Sequence, residues 1–213
     1  MNPLRLLIAD DHAVVRAGLR ALVESRKGWE VCAEASDGRE AVEKAIKFKP
    51  DILILDIGMP LLNGVDAARR IHKSLPNSEI LILTMHESDE LVQQVIEAGA
   101  RGYILKDEAD RVLLAAIDAL SRHKPYFSTR VSEAVEISDA SDPSKSSRSR
   151  LTPREREILQ LLAEGKSNKE VATILNISVN TAEAHRANIM LKLDFHSLAD
   201  LVLYAIRNKI IQP

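Results

Sequence analysis

Short apolar runs alternate with amphipathic stretches over the first 120 or so residues of this chain. The runs are Leu4–Ala9, Val31–Ala35, Ile52–Leu55, Ile80–Leu83 and Tyr103–Leu105. They are dense in Ile, Leu and Val, as strands covered on both faces are. Between them lie helical patterns at Ala13–Arg26, Arg39–Phe48, Val65–Ser74, Asp89–Ala98 and Ala109–Ser121. In the first of these, Val14, Ala17, Leu19, Ala21 and Leu22 share one broad face. Five strands alternating with five helices predict a doubly wound parallel α/β sheet with the flavodoxin-like order 2-1-3-4-5.

The pattern then changes. Ser138–Arg150 reads SDASDPSKSSRSR, without an aromatic or branched aliphatic residue. It cannot bury enough surface to order itself and reads as a flexible linker, with a short helix at Arg130–Ile137 before it. Beyond Arg150 the sequence is helical throughout. Thr152-Pro153-Arg154-Glu155 is a capping box with proline at the first helical position, and Ser167-Asn168-Lys169-Glu170 is a second. Ser178 opens a helix to about Leu193, and a last helix spans about Ser197–Asn208. These boundaries give a first domain over 1–123, a connection over 124–150 and a small all-α domain of four helices over 151–213.

Composition narrows the class. The 213 residues are 46% hydrophobic and 28% charged, as in an ordinary globular chain. No apolar run approaches the roughly 20 residues of a membrane helix. The start carries neither a lysine-rich leader nor a small-residue cleavage site, so a cytoplasmic, membrane-free protein is expected. The single Cys32 fits a reducing compartment and, inside a predicted strand, core packing. The six histidines show no metal-ligand spacing. From Ser146 onward there are 10 Lys+Arg against 7 Asp+Glu, whereas residues 1–145 hold 19 against 24. An acidic front and a mildly basic back suggest two separate tasks.

In a parallel sheet, chemistry gathers at the carboxyl ends of the strands. Those ends carry Asp10-Asp11 after the first strand, Asp56 after the third, Thr84 after the fourth and Lys106 after the fifth. Three converging carboxylates repel one another unless a cation sits among them, and hard oxygen ligands suit Mg²⁺. One aspartate is then able to act as a nucleophile toward phosphorus while the metal and the lysine neutralise the transferring oxygens. The Thr84 hydroxyl can donate a hydrogen bond to a phosphate. His12, beside the acid pair, reads as a solvated residue opening the first helix, with an approach to the site as the alternative.

These residues resemble the receiver domain of two-component response regulators. The resemblance rests on Asp10-Asp11, on Asp56 followed by Met59-Pro60 and Gly64, on Thr84, and on Gly102-Tyr103-Ile104-Leu105-Lys106. It implies that Asp56 is the phosphoacceptor, served by a cognate sensor histidine kinase. It implies that Asp11, Asp56 and the Gly58 carbonyl bind Mg²⁺ directly and Asp10 through water. Thr84 and Lys106 would hold the phosphoryl group, and Tyr103 would be an aromatic switch that turns inward on phosphorylation. Gly58 departs from the larger residue often found there, which leaves metal binding through its backbone intact and bears on the dephosphorylation rate.

In the last domain, Asn168–Leu175 and Val179–Leu193 are separated only by Asn176-Ile177-Ser178, the short turn of a helix-turn-helix. The second helix carries Glu183, Ala184, Arg186, Ala187 and Asn188. Small residues let a backbone approach a groove, Arg186 and Lys192 can reach phosphates, and Glu183 can accept a hydrogen bond from cytosine N4. Periodicity alone leaves a helical bundle without DNA function open. The residues Leu151-Thr152-Pro153-Arg154-Glu155, Gly165, Ser167 to Ala172, Ile177-Ser178, Thr181, His185 and Lys192-Leu193 resemble the LuxR-type helix-turn-helix. The order of the two domains is that of the NarL/FixJ response regulators. The expected DNA-binding set is Lys169, Thr181, Glu183, Ala184, Arg186, Ala187 and Lys192. Glu183 and Ala187 stand where some members are basic, so no base code transfers.

The expectation is therefore a non-enzymatic regulator, limited to its own phosphorylation and dephosphorylation. Its partners would be a histidine kinase, double-stranded DNA and a second copy of itself. Leu198, Leu201, Val202 and Ala205 offer a pairing stripe on the last helix, part of which must also serve the core. Two alternatives stay open: a haloacid-dehalogenase-like phosphatase, disfavoured because Gly58 stands where a second aspartate belongs, and a phosphorelay module whose helical domain meets protein or RNA.

Overall fold

A computed structural model describes residues 3–85, 89–127 and 151–211, with the backbone alone for Asp89 and Glu90. The expected helix at Arg130–Ile137 and the linker Ser138–Arg150 lie outside the described residues. The chain divides into two compact units, Met1–Ala140 and Ser141–Pro213.

In the first unit, strands β1 (Leu4–Ala9), β2 (Trp29–Ala35), β3 (Ile52–Asp56), β4 (Glu79–Thr84) and β5 (Gly102–Leu105) alternate with helices. The helices are α1 (Ala13–Glu24), α2 (Gly38–Phe48), α3 (Gly64–Ser74), α4 (Asp89–Glu97) and α5 (Ala109–Ser121). All strands are parallel, in the order β2-β1-β3-β4-β5-β6. The order of the first five is the expected one.

The sixth strand, β6 (Tyr126–Phe127), was not expected. After α5 the chain reverses at His123, whose φ is 57°. The Lys124 amide bonds to the Ala119 carbonyl and the Tyr126 amide to the Arg101 carbonyl, at 3.0 and 2.9 Å. Pro125 cannot continue a helix, and two residues are too few to show a period. This strand extends the sheet past residue 123.

The strands alternate between two cores. Leu7, Leu53, Leu55, Ile80, Ile82 and Tyr103 face Ala41 and Ala45 of α2, Ala68 and Ile71 of α3, and Val92 and Val95 of α4. Leu6, Ile8, Ile54, Leu81, Leu83 and Ile104 face Leu19 and Val23 of α1 and Leu113, Ile117 and Leu120 of α5. Burying apolar area on both faces at about 25 cal/mol per Å² is what holds the strand ends in register.

Those ends are set by tight backbone contacts. Asp37 caps α2 by accepting from the Arg39 and Glu40 amides, both at 2.9 Å. Asn63, itself buried, caps α3 through the Asp66 amide at 2.9 Å. The Gly64 amide donates to the Ile57 carbonyl at 2.9 Å. A Cβ on Gly64 would lie 2.0 Å from the Asp56 carbonyl oxygen, so only glycine lets α3 start this close to the end of β3.

The second unit holds α6 (Pro153–Ala163), α7 (Asn168–Leu175), α8 (Val179–Lys192) and α9 (Leu198–Arg207). Both expected capping boxes form, and Ser197 with Asp200 closes a third that the sequence reading did not single out. Six consecutive residues of α6, Glu157 to Leu162, are buried, so its middle is covered on all sides by its neighbours α7, α8 and α9. Arg154 donates to the buried Glu157 carboxylate at 2.8 Å and to the Leu175 carbonyl at 3.1 Å, tying α6 to the end of α7. Asn176, with φ 52°, ends α7 and turns the chain into α8.

Two glycines test this account in opposite directions. Gly18 lies in α1 with nothing within 4 Å of an added Cβ. Gly18→Ala should stabilise the receiver by about 0.5–1 kcal/mol in urea unfolding. Gly64→Ala should cost about 1–3 kcal/mol, since the obstacle is backbone that must shift.

Candidate functional site

The site lies where β1, β3, β4 and β5 end. Asp10 is fully buried and Asp56 is 1% exposed. The Lys106 ammonium, placed by a 3-10 turn after β5, is 2.7 Å from Asp10 Oδ2 and 3.0 Å from Asp56 Oδ2. Asp56 Oδ1 is buried without a hydrogen-bond partner. Thr84 ends β4 between these strands and is buried. Gly58 follows two residues after Asp56, and Met59 beyond it is buried.

Asp11 is more open. His12 Nδ1 lies 2.7 Å from Asp11 Oδ1 and 3.3 Å from Asp10 Oδ1. His12 opens α1 with its ring largely exposed, as expected, and the ring also faces both acids. Its backbone amide donates to Asp10 Oδ1 at 2.8 Å. Asp10, Asp11, His12 and Asp56 each bring a ligand atom to within 4.8 Å of the others. Residue spacing along the chain had suggested no histidine ligand, because the cluster is assembled from two strand ends rather than one helix.

Electrostatics set the state of the site. Burial pushes the Asp56 carboxyl above the ordinary carboxylate range; Lys106 pulls it back, and Asp10 and Asp11 add to the rise. Burial would lower the Lys106 ammonium, but its bonds to Asp10 and Asp56 outweigh that and hold it above the usual lysine value. Two of the three carboxylates, Asp10 and Asp56, share one ammonium. The orphaned Asp56 oxygen in this negative pocket fits a hard divalent cation, with oxygen donors from Asp10, Asp11 and Asp56.

Tyr103 is fully buried within the α2–α3–α4 core, so the ring already occupies an inward position. Arg16 escaped the sequence reading. Its Nη1 donates to the Asp10 carbonyl at 2.7 Å while Nε lies 3.5 Å from Glu34, which pins the peptide carrying Asp10 and Asp11. In sequence it reads as one more solvated arginine on α1.

In the helical unit, only Ala182 and Ile189 of α8 are buried. Thr181, Glu183, Ala184, Ala187 and Asn188 are exposed, as is Lys169 on α7, and Arg186 is half-buried. The Thr181 and Ser178 hydroxyls meet at 2.8 Å. Lys192 is engaged: its ammonium sits 3.0 Å from Glu155 in the α6 capping box. The expected stripe on α9 is shared between the core and the surface, as its composition allowed. Leu201 and Ala205 belong to the core, while Leu198 and Leu203 are the exposed leucines of that helix.

An acidic, lysine-bearing crevice on a doubly wound sheet and a helix-turn-helix with an exposed second helix define a receiver joined to a DNA-binding domain. Residues 6–118 match the response regulator receiver domain, and residues 149–205 match the luxR family of bacterial regulatory proteins. The chain is 39% identical over 221 residues to the oxygen regulatory protein NreC of Staphylococcus epidermidis, covering 98% of this chain and 100% of that one. It is similar to a structure of the Salmonella typhimurium RcsB response regulator, with TM-score 0.65, 30% identity and coverage of 96% and 97%. A structure of an RcsB–DNA complex matches with TM-score 0.60 at 30% identity, over 95% of this chain and 98% of that one. The chain belongs to the NarL/FixJ-type two-component response regulators: it is a receiver followed by a LuxR-type DNA-binding domain. The phosphatase alternative falls with this assignment.

The raised Asp56 pKa carries a sign. Its folded form binds a proton more readily than the unfolded chain, so this carboxylate lowers stability as pH rises from the ordinary carboxylate range through the folded value. In chelator at pH 7.5, Asp56→Asn should therefore melt above wild type. The advantage should shrink on acidification to pH 4, followed by circular dichroism.

Proposed function

We propose that Asp56 accepts a phosphoryl group from the phosphohistidine of a sensor kinase, and that this controls DNA binding by the LuxR-type domain. The observation that carries the reading is the buried Asp56 carboxylate with one oxygen on Lys106 and the other without a partner. An Asp56 carboxylate oxygen attacks phosphorus, the phosphorus–nitrogen bond breaks with its electron pair left on the histidine nitrogen, and an acyl phosphate forms on Asp56. Lys106 stays paired with the new negative charge, and the Thr84 hydroxyl donates to a phosphoryl oxygen. Tyr103 holds the inward position that the phosphorylated state requires. Asp11, Asp56 and the Gly58 carbonyl would hold Mg²⁺ directly, with Asp10 acting through water. The metal held there would supply positive charge against the transferring oxygens. The only chemistry is the gain and loss of this phosphate. No helix among the described residues is long and apolar enough to cross a membrane, which accords with a cytoplasmic regulator that meets DNA.

Incubation with acetyl phosphate and Mg²⁺ should add one phosphoryl group to the wild type, read by intact mass. Asp56→Asn and chelation should each abolish it. Normal incorporation by Asp56→Asn would overturn the assignment. Mg²⁺ at 100 times its Kd should stabilise the wild type by about 2.7 kcal/mol and leave Asp56→Asn nearly unmoved.

The exposed face of α8 enters the major groove, with Arg186 and Lys169 on phosphates and Glu183 on a base edge. Lys192 must share its ammonium between Glu155 and any phosphate. A domain this small touches few base pairs, so two copies bind inverted half-sites about one helical turn apart. Lys169→Ala or Arg186→Ala should weaken binding to all sequences and reduce the salt slope by about one. Glu183→Ala should change preference at one position per half-site, by roughly 1–3 kcal/mol. Binding-site selection and salt titration measure both; an unchanged consensus for Glu183→Ala would remove it from base readout. A fragment over 147–213 should bind DNA without phosphorylation. Binding no tighter than the unphosphorylated full chain would shift control from unmasking to dimerisation.

A further inference from the structure

The open side of the acidic crevice is lined by a nitrogen donor. The Asp10 side chain is fully buried, that of Asp56 1% exposed and that of Lys106 10% exposed, whereas the His12 side chain is 57% exposed. A cation entering from solvent therefore meets the imidazole and Asp11 first. Nδ1, the ring nitrogen on the Cβ side, points at the acids, 2.7 and 3.3 Å from their oxygens. Ligand atoms around one Zn²⁺ at 2.0–2.2 Å lie about 3.4 Å apart in tetrahedral geometry. The four donor atoms here all fall within 4.8 Å of one another, near that spacing. The pocket also holds the independent sign of a missing ligand: Asp56 Oδ1, buried and without a hydrogen-bond partner.

We propose that His12 is a ligand in this crevice for borderline divalent transition ions, so that the site discriminates in favour of Zn²⁺-like ions over Mg²⁺. The inference rests on the metal reading of the acidic site above and adds a residue and a second class of ion to it. Mg²⁺ prefers oxygen donors and gains little from an imidazole, whereas Zn²⁺, Co²⁺ and Ni²⁺ bind it well. On binding, Nδ1 carries no proton and presents its lone pair to the ion, while Nε2 keeps the ring proton and faces solvent. The short contact of Nδ1 to Asp11 is replaced by coordination of both side chains. Arg16 holds the Asp10–Asp11 peptide in place through this exchange.

The test uses the full chain and compares wild type, His12→Asn and Asp56→Asn. Asparagine is a good helix N-cap, and His12 occupies the N-cap of α1 without a side-chain cap bond, so the variant keeps the fold. Kd for Zn²⁺ is read by competition with a chromophoric chelator, and Kd for Mg²⁺ from the metal-dependent rise in melting temperature. The ratio of the two, Mg²⁺ over Zn²⁺, should fall at least about tenfold in His12→Asn, in line with the 10–100-fold cost of disturbing a ligand's surroundings. Co²⁺ should give visible absorption bands with the wild type that weaken and shift in His12→Asn. Asp56→Asn should lose both metals. An unchanged ratio and an unchanged Co²⁺ spectrum in His12→Asn would overturn the proposal, as would Zn²⁺ bound at wild-type affinity by Asp56→Asn. Retention of Mg²⁺ by Asp56→Asn would instead strike the metal reading on which the inference rests.

Discussion

Two buried carboxylates lean on one ammonium, and the rest of the receiver is arranged so that they must. Asp10 and Asp56 are removed from water at the ends of neighbouring strands, with Lys106 bridging them from the next strand but one. Breaking such a cluster by removing one partner leaves an uncompensated buried charge, which typically costs several kcal/mol. The arrangement is instead left one charge short of balance. A protein selected for stability alone would not keep a carboxylate whose pKa is driven up by its own burial. Under the proposed function, that imbalance suits a site that takes up a cation and then a phosphoryl group.

The supporting structure serves this geometry at the level of backbone. Gly64 brings the start of α3 against the carbonyl of Asp56, Asn63 caps that helix from a buried position, and Arg16 holds the Asp10 carbonyl. Tyr103 and Leu105 on β5 pack into the core that lies under α4, and Lys106 follows them directly. A change of charge at the strand ends therefore acts on residues continuous with that core. The helical unit follows another logic. The middle of α6 is buried on all sides, which leaves α8 free to show nearly its whole length.

The sequence made some of this legible because its signals were periodic or chemical. Strand runs of Ile, Leu and Val gave the five main strands, and the Thr152 and Ser167 boxes gave helix starts to the residue. The acidic set was visible because Asp10, Asp11, Asp56 and Lys106 each close an apolar run. What escaped had no period. β6 is two residues long and follows a reversal at His123, which adopts a positive φ. The contact of His12 with Asp11 depends on how its ring is turned, that of Arg16 on a carbonyl six residues back, and that of Lys192 on Glu155, 37 residues away in sequence. The α9 stripe divides as its composition allowed: Leu201 and Ala205 are buried in the core, and Leu198 is left outside.

The central claim is that the unbalanced buried carboxylate is the one that takes the phosphoryl group. Borohydride reduces an acyl phosphate to the alcohol and converts the phosphorylated aspartate to homoserine, which peptide mass mapping locates to a single residue. After acetyl phosphate and Mg²⁺, homoserine should appear at position 56 and nowhere else. Homoserine at position 10 or 11, or phosphate stable to borohydride on another side chain, would contradict the account.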